Sequence, residues 1–303
     1  MHQRMLKNAI GFLVLASGLG WLIRNIAARG KVSILVYHDP KPEVLHRHLQ
    51  HLNRAYNIIP PSRYFEALKA KDFSTLPPRS LVMTFDDGHV GNAALVQVMH
   101  AHGVKGLIYL CSHIVDTQRG FWWQSAAAKN LGISELKKLT DADRLAKLAE
   151  YGFERDADQG TAAAVSLSQI KSLSQVFEFG SHTCYHPILT QCNDAACDEE
   201  IAASKRKLES LLNQPVLHFA FPNGNYGQRE IAMIKAAGYE TARTIDVGWN
   251  GALTDPFHLK VLEAADDATV WWLRAQLTGA TTLFKNAVRY RRISLALQQG
   301  DNA

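Results

Sequence analysis

The sequence predicts a parallel α/β fold, with a closed barrel favoured and an open doubly wound sheet as the alternative. Seven short apolar runs have the composition of strands buried on both faces, and segments of helical periodicity separate them. This alternation is typical of parallel α/β proteins, and 303 residues suffice for one barrel. No glycine-rich dinucleotide-binding loop follows a predicted strand, which disfavours the doubly wound sheet.

Predicted strands and helices alternate through most of the chain. The strands are expected at residues 32–37, 81–85, 106–111, 176–180, 216–221, 240–245 and 259–262. The helices are expected at residues 42–55, 62–70, 92–102, 168–173, 194–212 and 228–237. We therefore assign residues 30–265 to the barrel, with residues 112–167 as an insertion on one of its faces.

The first 29 residues differ in composition from the rest. Arg4 and Lys7 precede sixteen uncharged residues, 8–23, and Arg24 closes this run. Spanning a bilayer takes roughly 17–25 residues, so the run is at the short limit. We expect a membrane anchor. The alternatives are a cleaved signal peptide and a helix that lies on the membrane or packs on the domain. The expected location is membrane-associated and extracytoplasmic, and positive charges on both sides leave the topology open.

Two further segments carry aromatic or basic clusters. Phe121-Trp122-Trp123 opens the insertion, where Trp123 belongs either to a packed core or to a wall on which a sugar stacks. Residues 266–303 are expected to form one or two basic helices that cap the barrel or lie against a membrane.

Bulk composition excludes several classes of protein. A chain with 47% hydrophobic and 20% charged residues is neither disordered nor collagen-like. The net charge of +5 suits anionic surfaces, but no nucleic-acid-binding motif accompanies it, so we expect no nucleic-acid partner. Four cysteines are too few for a disulfide framework in a chain of this length. Only Cys192 and Cys197 are close enough in sequence to make pairing an alternative to free thiols.

Two carboxylates end the second predicted strand. Thr84-Phe85-Asp86-Asp87-Gly88 follows an apolar run, at the strand end where parallel α/β proteins bind their ligands. Buried carboxylates are costly unless they are bound to something. Taken alone, the tripeptide Asp-Asp-Gly is also compatible with a solvated turn.

Two histidines after the fourth predicted strand shift this balance towards a metal site. His182 and His186 are four residues apart, so one helical turn would place both imidazoles on one side. With one aspartate they make an N,N,O ligand set that leaves positions open for water and substrate. The turn Pro222-Asn223-Gly224 ends the fifth strand, where its backbone N–H groups could face a developing oxyanion.

Together the three motifs resemble those of the polysaccharide deacetylase family, the NodB-homology group or carbohydrate esterase family 4. The likeness extends from about residue 34 to about residue 262. It implies a distorted (β/α)7 barrel and one divalent metal ion, zinc or a similar cation. It also implies that Asp87, His182 and His186 hold the metal and that Asp86 is the general base.

Departures from the family pattern affect the other catalytic groups. Ala220 stands where many members carry an arginine that orients the base. No histidine follows His258, which matches the usual acid motif poorly, so the general acid is unassigned and His258 is only a candidate. Val36-Tyr37-His38 resembles the family's opening strand, and His38 either lines the pocket or is a buried structural histidine.

We therefore predict a metal-dependent hydrolase that removes N-acetyl or other N-acyl groups from amino sugars of a cell-envelope polysaccharide or a lipid-linked glycan. The predicted substrate-binding residues are Pro222, Asn223, Gly224, His38 and Trp123. A non-catalytic glycan-binding or export-scaffold protein on the same fold is the alternative, because the usual arginine and acid are missing. A glycosidase using Asp86 and Asp87 is disfavoured, because glycosidase carboxyls lie about 5–9.5 Å apart across the bond.

Overall fold

The computed structural model describes residues 2–279, in which eight strands form one parallel sheet. The strands are β1 (Ser33–Tyr37), β2 (Asn57–Ile58), β3 (Ser80–Phe85), β4 (Gly106–Leu110), β5 (Phe177–Ser181), β6 (His218–Ala220), β7 (Thr241–Val247) and β8 (Leu259–Glu263). Their order is β1-β8-β7-β6-β5-β4-β3-β2, and β1 also pairs with β3, which closes the sheet. Because β2 pairs with only the first two residues of β3, the closed barrel has seven strands. The expected (β/α)7 barrel is confirmed.

Helices connect the strands and cover the barrel. They are α1 (His2–Ala16), α2 (Leu19–Leu22), α3 (Pro42–Ala55), α4 (Pro61–Lys69), α5 (Val96–Ala101), α6 (Ala126–Leu131), α7 (Ile133–Leu136), α8 (Asp141–Glu150), α9 (Leu167–Leu173), α10 (Asp194–Leu212), α11 (Gln228–Ala236) and α12 (Val270–Gln276). The side chain of Asn193 caps α10 by accepting from the Ala196 N–H group. Ser166 and Gln169 form a reciprocal capping box at the start of α9.

Alternation along the strands separates two layers of apolar side chains. One layer fills the barrel, with Ile34 and Val36 of β1, Val82 of β3 and Leu259 of β8 among its members. The intervening strand residues pack outwards against the helices in a larger core. Since successive side chains of a strand point to opposite faces, this alternation also decides which residues beyond each strand end face the barrel mouth.

Helix α4 closes the barrel at the N-terminal ends of its strands. Tyr64, Phe65 and Leu68 belong to the interior layer, and the ring of Phe65 stacks on that of His218 with centroids 3.6 Å apart. Glu178 of β5 accepts a hydrogen bond of 3.1 Å from the N–H group of Ser62, in the first turn of α4. A carboxylate stabilises a helix at this end. Polar residues that meet a substrate must therefore lie at the opposite end.

The interval between β4 and β5 has a small core of its own. Trp122, Leu136, Leu148 and Phe153 are buried together there, in and around helices α6–α8. This is the segment expected to be an insertion, and its proposed boundaries at 112 and 167 stay a prediction. All four cysteines of the chain are buried and free, so the alternative pairing of Cys192 with Cys197 is not found.

The N-terminal helices pack on α12. Helix α1 crosses α12 closely at Gly11, where a Cβ atom would lie 2.8 Å from the carbonyl oxygen of Trp271. The run of residues 8–23 is divided between α1, α2 and the start of a π-helical turn, Ile23–Ala27, with a break at Gly18. Within residues 2–279, no helix combines the length and the apolar character needed to cross a membrane. Most of the expected C-terminal basic segment, residues 280–303, lies outside the described residues.

Candidate active site and metal centre

The two aspartates lie in a sharp turn directly after β3. Asp87 and Gly88 have φ angles of 73° and 74°, in the left-handed region. That conformation costs on the order of 1–3 kcal/mol at a non-glycine residue and persists where its surroundings impose it. Here the N–H groups of Cys111 and Val165 donate to the carbonyl oxygens of Asp87 and Gly88. The turn buries both carboxylates: Asp86 is 5% exposed and Asp87 is 3% exposed.

The two histidines converge through a loop and not through a helical turn. His182 directly follows β5, and the chain then bends through Thr183 and His186, whose φ angles are 68° and 58°. The imidazole centroids lie 4.7 Å apart. The expected convergence is therefore found, but the expected local conformation is wrong, because left-handed residues turn the second ring back towards the first.

Hydrogen bonds from outside fix this histidine loop. The Oε2 atom of Glu200, on α10, accepts from the N–H groups of Cys184 and Tyr185 at 2.9 and 3.0 Å. Burial raises the pKa of Glu200 to about 7, although these two backbone donors oppose the rise. On the other side, Trp122 Nε1 donates to the carbonyl oxygen of His186 at 3.1 Å. The insertion and α10 thus hold the loop between them.

Three potential ligand atoms meet at one point. Asp87 Oδ1 lies 3.5 Å from His182 Nε2 and 3.4 Å from His186 Nε2, and Oδ1 has no hydrogen-bond donor. Zinc binds such atoms at about 2.0–2.2 Å, so two ligands of one tetrahedral ion lie about 3.3–3.5 Å apart. Among the described residues, this is the one group of three such side chains with spacing suited to a metal ion. The residues present therefore fit a divalent cation.

The protonation of these groups also suits metal binding. His182 Nδ1 donates to the carbonyl oxygen of Ala220 at 2.8 Å, which leaves the lone pair on Nε2. Burial lowers the pKa of both histidines, that of His186 to about 3, against the opposing influence of Asp87. Burial would raise the pKa of Asp87, but the surrounding imidazoles, His186 foremost, hold it below its usual range. Neutral imidazoles and an ionised carboxylate are the forms that bind a metal.

Two further side chains orient the aspartates. His89 Nε2 donates to Asp87 Oδ2 at 3.0 Å, so Oδ1 is the oxygen turned towards the imidazoles. Arg243, on β7 and 1% exposed, pairs with Asp86 Oδ2, while Asp86 Oδ1 has no donor. The Arg243 guanidinium lies over the ring of Tyr109, 5.1 Å from its centroid. Asp86 thus keeps one buried oxygen free to accept a proton.

Arg243 provides the guanidinium group that is missing at position 220. The family resemblance places an orienting arginine on β6, where this chain has Ala220, but a guanidinium from β7 reaches the same carboxylate. Sequence reasoning missed Arg243, although it lies inside a strand that was correctly predicted. An arginine at an inward-facing strand position was the available signal, since a buried cation needs a partner. His89 was missed because it follows Gly88, where the direction of the chain is set by the turn.

His38 lies at the mouth beside Asp86. Strands β1 and β3 pair in register through Tyr37 and Phe85, so the next residues, His38 and Asp86, are neighbours. The alternation that turns Val36 inwards directs His38 to the mouth as well. His38 is exposed, and its backbone N–H group donates to Asp266 Oδ1 at 3.0 Å. The interpretation of His38 as a buried structural residue is therefore wrong.

The structure does not bring His258 to this site. His258 precedes Leu259, which faces into the barrel, so His258 itself faces out. Its Nδ1 atom lies 2.8 Å from Asp255 Oδ2, and its ring packs edge-on against Tyr226. The hypothesis that His258 is the general acid is corrected, because the side chain lies on the outer side of the barrel wall.

The remaining predicted contact residues lie in the insertion and in the turn after β6. The ring of Trp123 lies 4.3 Å from that of His186, so Trp123 packs on His186 as well as on the insertion core. Pro222 is buried, and Asn223 Oδ1 accepts from Lys137 Nζ at 2.6 Å. The Gly224 N–H group donates to the carbonyl oxygen of Phe221 at 3.0 Å, so it is used within the turn and does not face an oxyanion.

Comparison with known proteins agrees with this geometry. The family model described as "Polysaccharide deacetylase" matches residues 74–242, more than half of the chain. No curated protein gives a significant match.

Several solved structures are similar in fold. The deacetylase PplD from Streptococcus pyogenes, in complex with acetate, has a TM-score of 0.59 at 18% identity, covering 81% of this chain and 97% of that one. IcaB from Ammonifex degensii has a TM-score of 0.59 at 17% identity, covering 82% and 97%. A de-N-acetylase from Aggregatibacter actinomycetemcomitans has a TM-score of 0.58 at 14% identity, covering 81% and 99%. At these identities the likeness establishes the fold.

Proposed function

The chain belongs to the polysaccharide deacetylase family, and we propose that it is a metal-dependent hydrolase that removes N-acetyl groups from amino sugars. The proposed substrate is a cell-envelope polysaccharide or a lipid-linked glycan. The observation that carries the proposal is the convergence of Asp87, His182 and His186 beside Asp86, a second buried carboxylate with a free oxygen. Two of the similar structures are described as a deacetylase and a de-N-acetylase, which supports the same chemistry.

Asp87, His182 and His186 would hold the metal ion. Two imidazoles and one carboxylate suit zinc, and three protein ligands leave a position for water or substrate, as in catalytic zinc sites. When bound, the ion supplies polarisation of the acyl carbonyl and a lower pKa for bound water.

Asp86 is the proposed general base. Arg243 occupies Oδ2, so Oδ1 accepts the proton of the attacking water. Arg243 is itself fixed by the Tyr109 ring and by its Nη1 bond of 3.3 Å to the carbonyl oxygen of Thr244. The carboxylate therefore keeps one orientation through the reaction, which reduces the reorganisation that proton transfer requires.

His38 is the proposed donor of the proton that the departing amine takes up. It is the neighbour of Asp86 in register and it is exposed at the mouth, where an imidazole can donate a proton to the leaving group. A base and an acid on adjacent strands β3 and β1 would flank one scissile amide. His38 replaces His258 in this role.

The scaffold alternative loses its main support. It was motivated by the lack of an orienting arginine and of an acid histidine, and Arg243 and His38 occupy suitable positions. The glycosidase alternative is weak because Asp87 is turned towards two imidazoles and away from the role of an acid or nucleophile.

Acetate release from N-acetylglucosamine oligomers tests the proposal. We expect the zinc-loaded protein to release acetate and a chelator to abolish the release. The Asp86→Asn variant should still bind zinc. Its kcat should fall by about 10³-fold or more, because the attacking water loses the group that accepts its proton. Asp255→Asn, a change at a surface carboxylate outside the site, is the matched control and should keep full activity.

Two results would count against the proposal. A folded, zinc-loaded protein that releases no acetate from N-acetylated oligomers or from isolated envelope glycans would favour the scaffold. Unchanged turnover in Asp86→Asn would remove the assigned base. The assignment of His38 is tested separately: His38→Asn should lower kcat by about 10²–10⁴-fold, whereas His258→Asn should leave kcat unchanged.

A further inference from the structure

Large apolar side chains are exposed on adjoining N-terminal elements and on α12. We name this surface the N-terminal apolar face and define it by Phe12, Leu13, Trp21, Leu22, Ile26 and Trp271. These six are half of the twelve large hydrophobic side chains that are exposed in the described part of the chain. Leu13 and Ile26 are each 65% exposed, and Trp21 is 61% exposed. Isolated apolar residues are normal on a surface, but a concentration of them marks an interaction site.

The face belongs to a docked element and is not the unpacked side of a free helix. Helix α1 already uses Gly11 for its close crossing with α12, and Thr269 Oγ1 donates to Asn8 Oδ1 at the same contact. The ring of Phe12 packs edge-on against Trp271, with centroids 6.0 Å apart, yet both remain about half exposed. Helix α1 is thus docked on α12, while the outer apolar side chains stay in solvent.

The charged residues of the N-terminal segment have a single sign. The first 38 residues contain five lysines and arginines and no aspartate or glutamate. Arg29 and Lys31 are exposed, and with Arg79 they line a groove of about 790 Å³ beside the π-helical turn. The floor of the groove includes the apolar residues Phe73 and Leu76. Apolar side chains next to these cations suit an anionic lipid surface, in which such a helix lies parallel to the plane of the membrane.

Two other partners that could cover the N-terminal apolar face fit its positive charge less well. The segment 280–303, which follows α12, has four lysines and arginines and one aspartate, so it would bring like charge to the face. A second copy of the chain would bring the same cations to the same surface. Like charges that meet across an interface are costly.

We propose that the N-terminal apolar face binds the surface of an anionic lipid bilayer, with its apolar side chains at the headgroup boundary and its cations among the headgroups. Trp271 lies in the first turn of α12, which follows the mouth end of β8. The face therefore extends along the flank of the barrel, from Trp271 near the mouth to Arg29 and Lys31, which precede β1 at the base. If the proposed deacetylase function holds, this position suits an N-acetylated glycan held at a membrane.

Vesicle flotation of the full chain tests the proposal. We expect the protein to float with vesicles of phosphatidylcholine and phosphatidylglycerol, and to float less with phosphatidylcholine alone or at high salt. The double variant Leu13→Ser, Trp21→Ser should partition at least about 10-fold more weakly, since two apolar side chains that would enter the bilayer are lost. Leu253→Ser, at a residue 85% exposed elsewhere, is the matched control and should bind like the wild type.

A second measurement locates the contact. Brominated phospholipids should quench the tryptophan fluorescence of the wild type, and Trp21→Phe should lose part of that quenching. Acetate release from soluble oligomers should be equal in the double variant and the wild type, which verifies folding and separates membrane binding from the proposed catalysis.

Three outcomes would overturn the inference: no flotation of the wild type, equal flotation of the double variant, or quenching that is unchanged in Trp21→Phe. A dimer in light scattering that the double variant abolishes, without vesicle binding, would assign the face to a second copy.

Discussion

The two ends of the barrel are built from the same strands but hold opposite kinds of side chain. At the base, Phe65 and Leu68 of α4 fill the interior. At the mouth, the inward positions are Asp86, His182 and Arg243, all nearly inaccessible to solvent. The same alternation produces both ends, so the difference lies only in which residues the sequence places at the inward positions.

Polar groups at the two ends are used differently. At the base, the Glu178 carboxylate accepts from the first turn of α4, and Glu240 pairs with Lys69 at its last turn. At the mouth, the Oδ1 atoms of Asp86 and Asp87 are buried without a donor. An unsatisfied buried polar atom costs about 1–3 kcal/mol, more if charged. The Glu178 carboxylate at the base therefore supports the fold, whereas the two aspartates at the mouth give up stability for atoms that can bind a cation and a proton.

Loss of a metal ligand at the mouth should have the largest effect. His186→Ala removes one of the three proposed ligand atoms, so zinc affinity should fall by more than the roughly 10–100-fold that loss of an orienting partner costs. Calorimetric titration with zinc measures this, and acetate release should fall in parallel. His258→Ala is the matched control and should bind zinc like the wild type. Equal loss in both variants would contradict the assignment of the site.

A substitution at the base of the barrel should have the reverse effect, with stability lowered and zinc affinity kept. Phe65→Ala should lower the free energy of unfolding by about 3–5 kcal/mol, because it empties space beneath His218 in a packed interior. Urea denaturation measures the loss. Zinc affinity of the protein that remains folded should be unchanged, and a parallel fall in zinc affinity would show that the two ends are not independent.

Glu200 supports the histidine loop, and its contribution to the free energy of unfolding depends on pH. Burial raises its pKa from 4.5 to about 7, so the folded protein holds this proton more tightly than the unfolded chain. Its contribution to stability is complete below about pH 4.5 and falls by up to about 3 kcal/mol as the pH rises to 7 and above. Glu200→Gln should lack this fall, so its unfolding midpoint relative to the wild type should rise between pH 5 and pH 8. A constant difference between the two proteins would contradict the prediction.

Arg243→Lys should have the smallest effect. Lysine keeps the charge but not the planar contact with Tyr109 or the fixed direction towards Asp86. We expect kcat to fall by about 10–100-fold with zinc affinity unchanged, and the acidic limb of the pH–rate profile to move. A change in KM alone, or a profile that does not move, would indicate that Arg243 only packs the barrel.

Strand positions were accessible from the sequence, whereas details at strand ends were not. All seven barrel strands were predicted within two residues of their bounds, because short apolar runs are a direct consequence of burial on both faces. The two-residue strand β2 was missed, since Asn57 and Ile58 carry no pattern. His182 and His186 were paired correctly, but the loop that joins them depends on left-handed residues that spacing does not reveal.

The sequence by itself determined the barrel and brought Asp86, Asp87 and the two histidines to one end of it, because alternation and strand ends are local properties. Only the tertiary structure decided which distant residues complete the site. Arg243 reaches Asp86 from a strand 157 residues further along the chain, and His38 becomes its neighbour only when β1 pairs with β3. Such contacts depend on how the strands align across the closed sheet, and no local sequence pattern reveals that alignment.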